Sequence, residues 1–211
     1  MLEKELKLDL LNEENYSRIL NFCGKHFEIK EQTNLFFDTD EFHLRKLKLS
    51  LRLRQENDLY LITVKGKNQS DGELAIREEL ETFISKDEFD KFINNNIVLS
   101  SCDFPPCKYL REKLKIDSTQ LMFNNILSFK IKRTVFILEN NNKTLKLEFD
   151  KTEFANEEFA FELEVEFEDV GSFEENKDFI AKILKENNIV WKVSPKSKFK
   201  RALDLKYGYN L

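Results

Sequence analysis

The residues best suited to chemistry are charged side chains that recur two apart. Glu3, Glu5 and Lys7 alternate with Leu6, Leu8 and Leu10, Asp9 continuing the charged set. Ser50, Arg52 and Arg54 alternate with Leu49, Leu51 and Leu53, and Thr63, Lys65 and Lys67 with Tyr60, Ile62 and Val64. Arg77, Glu79 and Glu81 follow, then Lys146, Glu148 and Asp150, then Glu162, Glu164 and Glu166. On a strand, residues two apart point the same way and sit about 6.6 Å apart. Two carboxylates at that distance repel by about 2.5 kcal/mol at an effective dielectric near 20. A solvated face relieves such repulsion by mixing signs, yet Glu162, Glu164 and Glu166 keep one sign, as do Arg52 and Arg54. Stacked carboxylates suit a hard divalent cation, and stacked Arg and Lys suit an anion rich in oxygen, such as phosphate. A surface carrying both suits a metal–polyphosphate ligand.

Eight segments alternate with period two and must position these side chains: 3–10, 35–38, 48–54, 59–67, 76–83, 128–138, 144–150 and 159–168. Eight strands with few intervening helices favour antiparallel pairing and a barrel. If Leu6, Leu8, Leu49, Leu51, Leu53, Ile62, Val64, Leu147 and Phe149 face outward against helices, the charged faces line a polar lumen. Helices are expected from Asn12 to about Lys25, after the Ser85/Glu88 capping box, after a Ser172/Glu175 box, and after Ser194-Pro195. The Pro105-Pro106 neighbourhood, 100–108, reads as a turn. The class is α+β, an eight-stranded antiparallel closed barrel with helices outside, in a single domain over 1–211.

Composition agrees with a globular protein: 211 residues, 41% hydrophobic, 35% charged, net charge −5. The acidic balance argues against nucleic acid or an anionic membrane as general partners. The first residues lack an apolar signal centre, and no apolar run is long enough to span a bilayer, so a cytoplasmic protein is expected. Cys23, Cys102 and Cys107 are too few and too irregular for a disulfide framework, and no metal role is expected of them. His26 and His43 read as surface or boundary residues, and Trp191 as core.

Six motifs in register resemble the triphosphate tunnel metalloenzyme, or CYTH, superfamily across essentially the whole chain. They are Glu3-Lys4-Glu5-Leu6-Lys7, Phe37-Asp38-Thr39, Arg52-Leu53-Arg54, Lys65-Gly66, Arg77-Glu78-Glu79-Leu80-Glu81 and Glu162-Leu163-Glu164. The resemblance implies a tunnel that cleaves a triphosphate with Mg²⁺ or Mn²⁺. It implies catalytic roles for Glu3, Glu5, Lys7, Glu162 and Glu164. Substrate would bind Lys7, Arg52, Arg54, Lys65, Arg133 and Lys198. Metal would bind Glu3, Glu5, Glu79, Glu81, Glu148, Asp150, Glu162 and Glu164, although Glu79 and Glu81 could instead orient the basic residues. Lys132 competes with Arg133, which has the opposite parity from Lys130 and Lys132 and would need a bulge to face inward. Lys196 competes with Lys198. The expected partner is a small-molecule triphosphate, with no nucleic acid and no membrane, in a monomer or homodimer. An adenylate cyclase and a non-catalytic polyphosphate-binding module are the alternatives. No motif in the sequence reads a base edge.

Overall fold

The structure is a computed structural model, described for all residues except 1, 25–26, 68–72, 115–120, 141–142, 168–172, 195 and 209–211. Ten strands form among the described residues: β1 (Leu2–Asp9), β2 (Glu28–Asp38), β3 (Ser50–Glu56), β4 (Leu59–Lys65), β5 (Leu74–Ile84), β6 (Ile97–Val98), β7 (Met122–Asn140), β8 (Lys143–Glu153), β9 (Phe159–Glu166) and β10 (Lys192–Val193). Their order is β10-β1-β5-β4-β3-β2-β7-β8-β9, and β1 also pairs with β9. The eight long strands therefore close into an antiparallel barrel, the expected α+β fold. Six α-helices lie among the described residues: α1 (Glu13–Cys23), α2 (His43–Lys46), α3 (Lys86–Asn95), α4 (Pro105–Leu114), α5 (Phe173–Glu186) and α6 (Lys198–Tyr207). None of them is long and apolar enough to cross a membrane.

The chain forms two compact units. One comprises Met1–Leu2, Gln32–Asn68 and Arg77–Phe129; the other comprises Glu3–Glu31, Gln69–Ile76 and Lys130–Leu211. In the first, Leu49, Leu51, Leu53, Ile62 and Val64 pack on Phe89 and Phe92 of α3 and on Leu110 and Leu114 of α4. In the second, Leu6, Leu8, Leu147 and Phe149 pack on Tyr16 and Ile19 of α1 and on Ile180 and Leu184 of α5. In both, period-two alternation puts the aliphatic face against helices and leaves the charged face for the site. Trp191 packs at the margin of the second core.

Caps fix several boundaries. The Asn12 side chain accepts from Asn15 N, and α1 stops at Gly24, whose φ of 84° suits a residue without Cβ. Ser85 and Glu88 form the complete capping box of α3. The buried Asp38 carboxylate accepts from Thr39 N, Leu44 N and Arg45 N at 2.8–3.0 Å, holding α2 in place. Burial raises the pKa of this carboxyl group in spite of those three donors.

Four expectations are corrected. The Pro105-Pro106 segment opens a helix, because prolines are tolerated in a first turn whose N–H groups have no intrahelical partner. That first turn carries Cys107 back to Cys102, and the two form a buried disulfide. The last helix is capped by Ser197, whose side chain accepts from Lys200 N, so it starts at Lys198 rather than after Ser194. Residues 130–140 of β7 pair one to one with 143–153 of β8, with no bulge. Lys25, His26, Ser172 and Pro195 lie outside the described residues. His43 is half-buried, its Nδ1 2.6 Å from Thr39 Oγ1.

Candidate active site

The charged faces supply two clusters, one in each unit. In the Lys130–Leu211 unit, antiparallel register sets carboxylates directly opposite one another: Glu148 faces Glu164, and Asp150 faces Glu162, across β8 and β9. Cross-strand neighbours lie about 4.5–5.5 Å apart at Cβ, and like charges there are destabilising. All four are at most 5% exposed, and Glu5 on β1 is 2% exposed.

Basic side chains neutralise this group. Arg133 faces Asp150 from β7 and grips it with two 2.7 Å hydrogen bonds, while donating to Glu164 at 2.7 Å and to Glu148. Lys198, on the first turn of α6, contacts Glu164 at 2.6 Å, Glu162 at 2.8 Å and Asp150 at 2.9 Å. Lys7 lies 2.5 Å from Glu164 and 3.1 Å from Glu5. Arg201, three residues after Lys198 and so on the same helix face, bonds Glu162 and the Ser194 hydroxyl. Burial alone would neutralise these groups, but the opposite charges prevail. Lys198, Lys7 and Arg133 hold the Glu164 carboxyl well below the usual carboxylate range, and Arg133 and Lys198 lower Asp150. The same carboxylates raise Arg133 and Lys198 above their ordinary values.

Parity decides the Arg133 question without a bulge. Lys130 and Lys132 are exposed on the opposite face, and Arg133 is buried among the carboxylates. Lys198 is buried, whereas Lys196 pairs with Asp204 at 2.8 Å. Glu3 is half-buried on β1, with the same parity as Glu5 and Lys7. Cations neutralise both Glu162 and Glu164. Arg201 was missed in the sequence, although its three-residue spacing from Lys198 is the signal that finds it once the helix start is known.

The second cluster belongs to the other unit. The buried Arg52 directs Nη2 toward Thr63 Oγ1 at 3.3 Å, Glu81 at 3.3 Å and Glu79 at 3.5 Å. Thr63 in turn donates to Glu81 at 2.7 Å, and Lys65 contacts Glu79 at 3.0 Å. Glu79 and Glu81 thus hold basic side chains in place. Arg54 donates from Nε to Asn34 Oδ1 at 2.9 Å and lies 3.8 Å from Glu56. Gly66 sits where a Cβ would come within 3.3 Å of the Glu78 side chain, and its N–H donates to Glu78 O, so the close approach of β4 and β5 continues through this position.

The donor chemistry fits a divalent ion. Ionised carboxylate oxygens in opposed pairs are hard ligands. Among the described residues no group of three acidic, His or Cys side chains is arranged to hold a metal ion; Asp150, Glu162 and Glu164 converge instead on Lys198 Nζ.

The fold recurs in solved structures. HpAC1 from Hippeastrum, described as having a dominant triphosphatase activity, is 23% identical, with a TM-score of 0.86 over 97% of this chain and 96% of that one. A candidate adenylate cyclase from Bacillus halodurans is 25% identical, TM-score 0.64, covering 95% and 97%. The PH1819 protein of Pyrococcus horikoshii OT3 is 19% identical, TM-score 0.62, covering 97% and 99%. No curated protein matches the sequence. The CYTH domain family matches residues 1–203, so this chain is a member of that family.

Proposed function

We propose that the protein hydrolyses a triphosphate with the help of Mg²⁺ or Mn²⁺. The observation that carries this reading is the pair of opposed, buried carboxylate pairs, Glu148–Glu164 and Asp150–Glu162, each neutralised by a basic side chain. Asp150 and Glu164 are held ionised, the state a metal ligand needs. Such an arrangement can exchange partners. Glu3, Glu5, Glu148, Asp150, Glu162 and Glu164 would hold the metal, and Lys7, Arg133 and Lys198 would take the phosphate oxygens.

In the other unit Arg52, Arg54 and Lys65 form a basic set suited to phosphate oxygens, and Glu79 and Glu81 keep Arg52 and Lys65 aimed. A bound divalent ion would supply charge neutralisation on the phosphoryl group and a more acidic bound water. The protein's own share is positioning and electrostatic stabilisation: a water attacks the terminal phosphorus in line, the P–O bond to the diphosphate breaks, and the basic side chains stabilise the charge on the leaving oxygen.

The test incubates the protein with inorganic triphosphate or ATP plus Mg²⁺ or Mn²⁺ and separates orthophosphate, diphosphate and cyclic AMP. Metal-dependent orthophosphate release is expected. Cyclic AMP with diphosphate as main products would replace the hydrolase with a cyclase, and binding without turnover would leave a polyphosphate-binding module.

A further inference from the structure

Two amides on β2 are buried with one end open. Asn34 is 0% and Gln32 3% exposed. Arg54 Nε donates to Asn34 Oδ1 at 2.9 Å, which fixes that oxygen as the acceptor and leaves Nδ2 as the other end. Gln32 Nε2 donates to Glu56 Oε2 at 2.7 Å, which leaves Oε1 as the other end. Neither Asn34 Nδ2 nor Gln32 Oε1 has a hydrogen-bond partner among the described residues, and the same holds for Arg52 Nε. Buried polar atoms are nearly always paired, so two open amide ends beside an open guanidinium nitrogen point to a ligand.

The register places these groups on one surface. Gln32 faces Glu56, Asn34 faces Arg54 and Phe36 faces Arg52 across β2 and β3, while Leu35, Phe37, Leu51 and Leu53 turn to the core. Charge varies along this surface. Ser50 faces Lys65 at one end, and Glu56 lies at the other. Phosphate oxygens belong toward Lys65 and Arg52, because Glu56 repels them. The Glu56 end suits an uncharged group, and the buried Phe36 and Leu61 add apolar surface beside the amides.

We propose that Gln32 and Asn34 form a specificity subsite for the organic part of a nucleoside triphosphate, with a ligand acceptor on Asn34 Nδ2 and a ligand donor on Gln32 Oε1. This rests on the triphosphate reading above and gives it a substrate class. Adjacent donor and acceptor groups occur on a nucleobase edge and on ribose hydroxyls. A site built around a hydrogen bond rejects analogues that lack the partner, because its own buried group is then left unpaired.

The experiment compares ATP, the 6-unsubstituted purine riboside triphosphate, 3′-deoxy-ATP and inorganic triphosphate on wild type, Gln32→Met and Asn34→Leu. Calorimetric Kd values for the β,γ-methylene analogues of the same nucleotides run in parallel. Wild type is expected to favour ATP at least fivefold over the analogue missing its donor, the change falling on KM and Kd rather than kcat. The purine arm responds if the base is read and the 3′-deoxy arm if the ribose is. That preference should collapse in Gln32→Met, and the ratio of ATP to inorganic triphosphate should fall at least fivefold in both variants. Equal handling of ATP and both analogues by wild type, or the same preference in all three proteins, overturns the subsite. Discrimination that depends on Gln32 in Kd without hydrolysis of any triphosphate supports the subsite and overturns the hydrolase.

Discussion

Arg133 and Asp150 face each other across β7 and β8 and are joined by two parallel hydrogen bonds of 2.7 Å, Nε to Oδ1 and Nη2 to Oδ2. The same guanidinium reaches Glu148 and Glu164, so one cation serves three buried carboxylates. Arg133→Met would leave those charges short of a partner. Breaking a buried pair costs about 3–5 kcal/mol, so Tm of the metal-free variant should fall by roughly 6–20 °C. Millimolar Mg²⁺ should recover more of that loss in the variant than it adds to wild type, since a divalent ion suits the same oxygens. Thermal melts with and without Mg²⁺ check this; an undiminished Tm would mean that Arg133 is not what neutralises the cluster.

Glu164 is the common partner of Lys7, Arg133 and Lys198. Like-charge stacking read from the sequence alone would make Glu164→Gln neutral or stabilising. The structure reverses that expectation, because a neutral amide leaves the buried Arg133 and Lys198 and the half-buried Lys7 less well balanced, at about 1–3 kcal/mol. Tm should drop, and turnover of the metal–triphosphate complex should fall at least about 100-fold, as for loss of other electrostatic stabilisers. A variant with near-wild-type kcat at saturating Mg²⁺ would remove Glu164 from the site.

Acid should weaken the metal-free protein in a defined window. Glu164 and Asp150 have lowered pKa values in the folded state, so their stabilisation is present above the unfolded values, about pH 4. It is lost as pH falls through the lower folded values. Glu166 has the opposite sign: burial and Glu148 raise it, so protonating it favours the folded state. Tm should therefore be level or slightly higher at pH 5 than at pH 6.5, then decline steeply below about pH 4. Melting curves across pH 2.5–7 test this, and a decline centred near pH 6 would contradict it.

The Cys102–Cys107 disulfide closes a short loop at the start of α4, at a sequence separation of 5. A loop that short constrains the unfolded chain by about 2 kcal/mol. Cys102→Ser/Cys107→Ser should melt several degrees below the oxidised wild type, and a reductant should lower wild-type Tm while leaving the double variant unmoved. Identical melts for the oxidised wild type and the variant would show that the link adds nothing.

Most of the barrel was legible because period two governs both faces of a half-buried strand: aliphatic residues mark the helix-packed side and charges the other. Three things were hidden. The strand over 35–38 begins seven residues earlier, at Glu28. Its polar Glu28–Asn34 stretch lacks the apolar alternation that announces a strand, which concealed Gln32 and Asn34. The Pro pair resembled a turn because proline stops a helix everywhere except its first turn. Arg201 belongs to none of the six motifs, and only a helix opening at Lys198 sets it beside Glu162.

The position of α6 in the chain bears on the order of synthesis. Lys198 and Arg201 come after every strand of the barrel, yet both supply cations that balance the buried carboxylates. While the ribosome has yet to release that helix, Asp150, Glu162 and Glu164 lack the ion pairs that Lys198 and Arg201 make. The charge balance of a nascent barrel is thus incomplete until α6 emerges, and divalent ions would shield the carboxylates in the meantime.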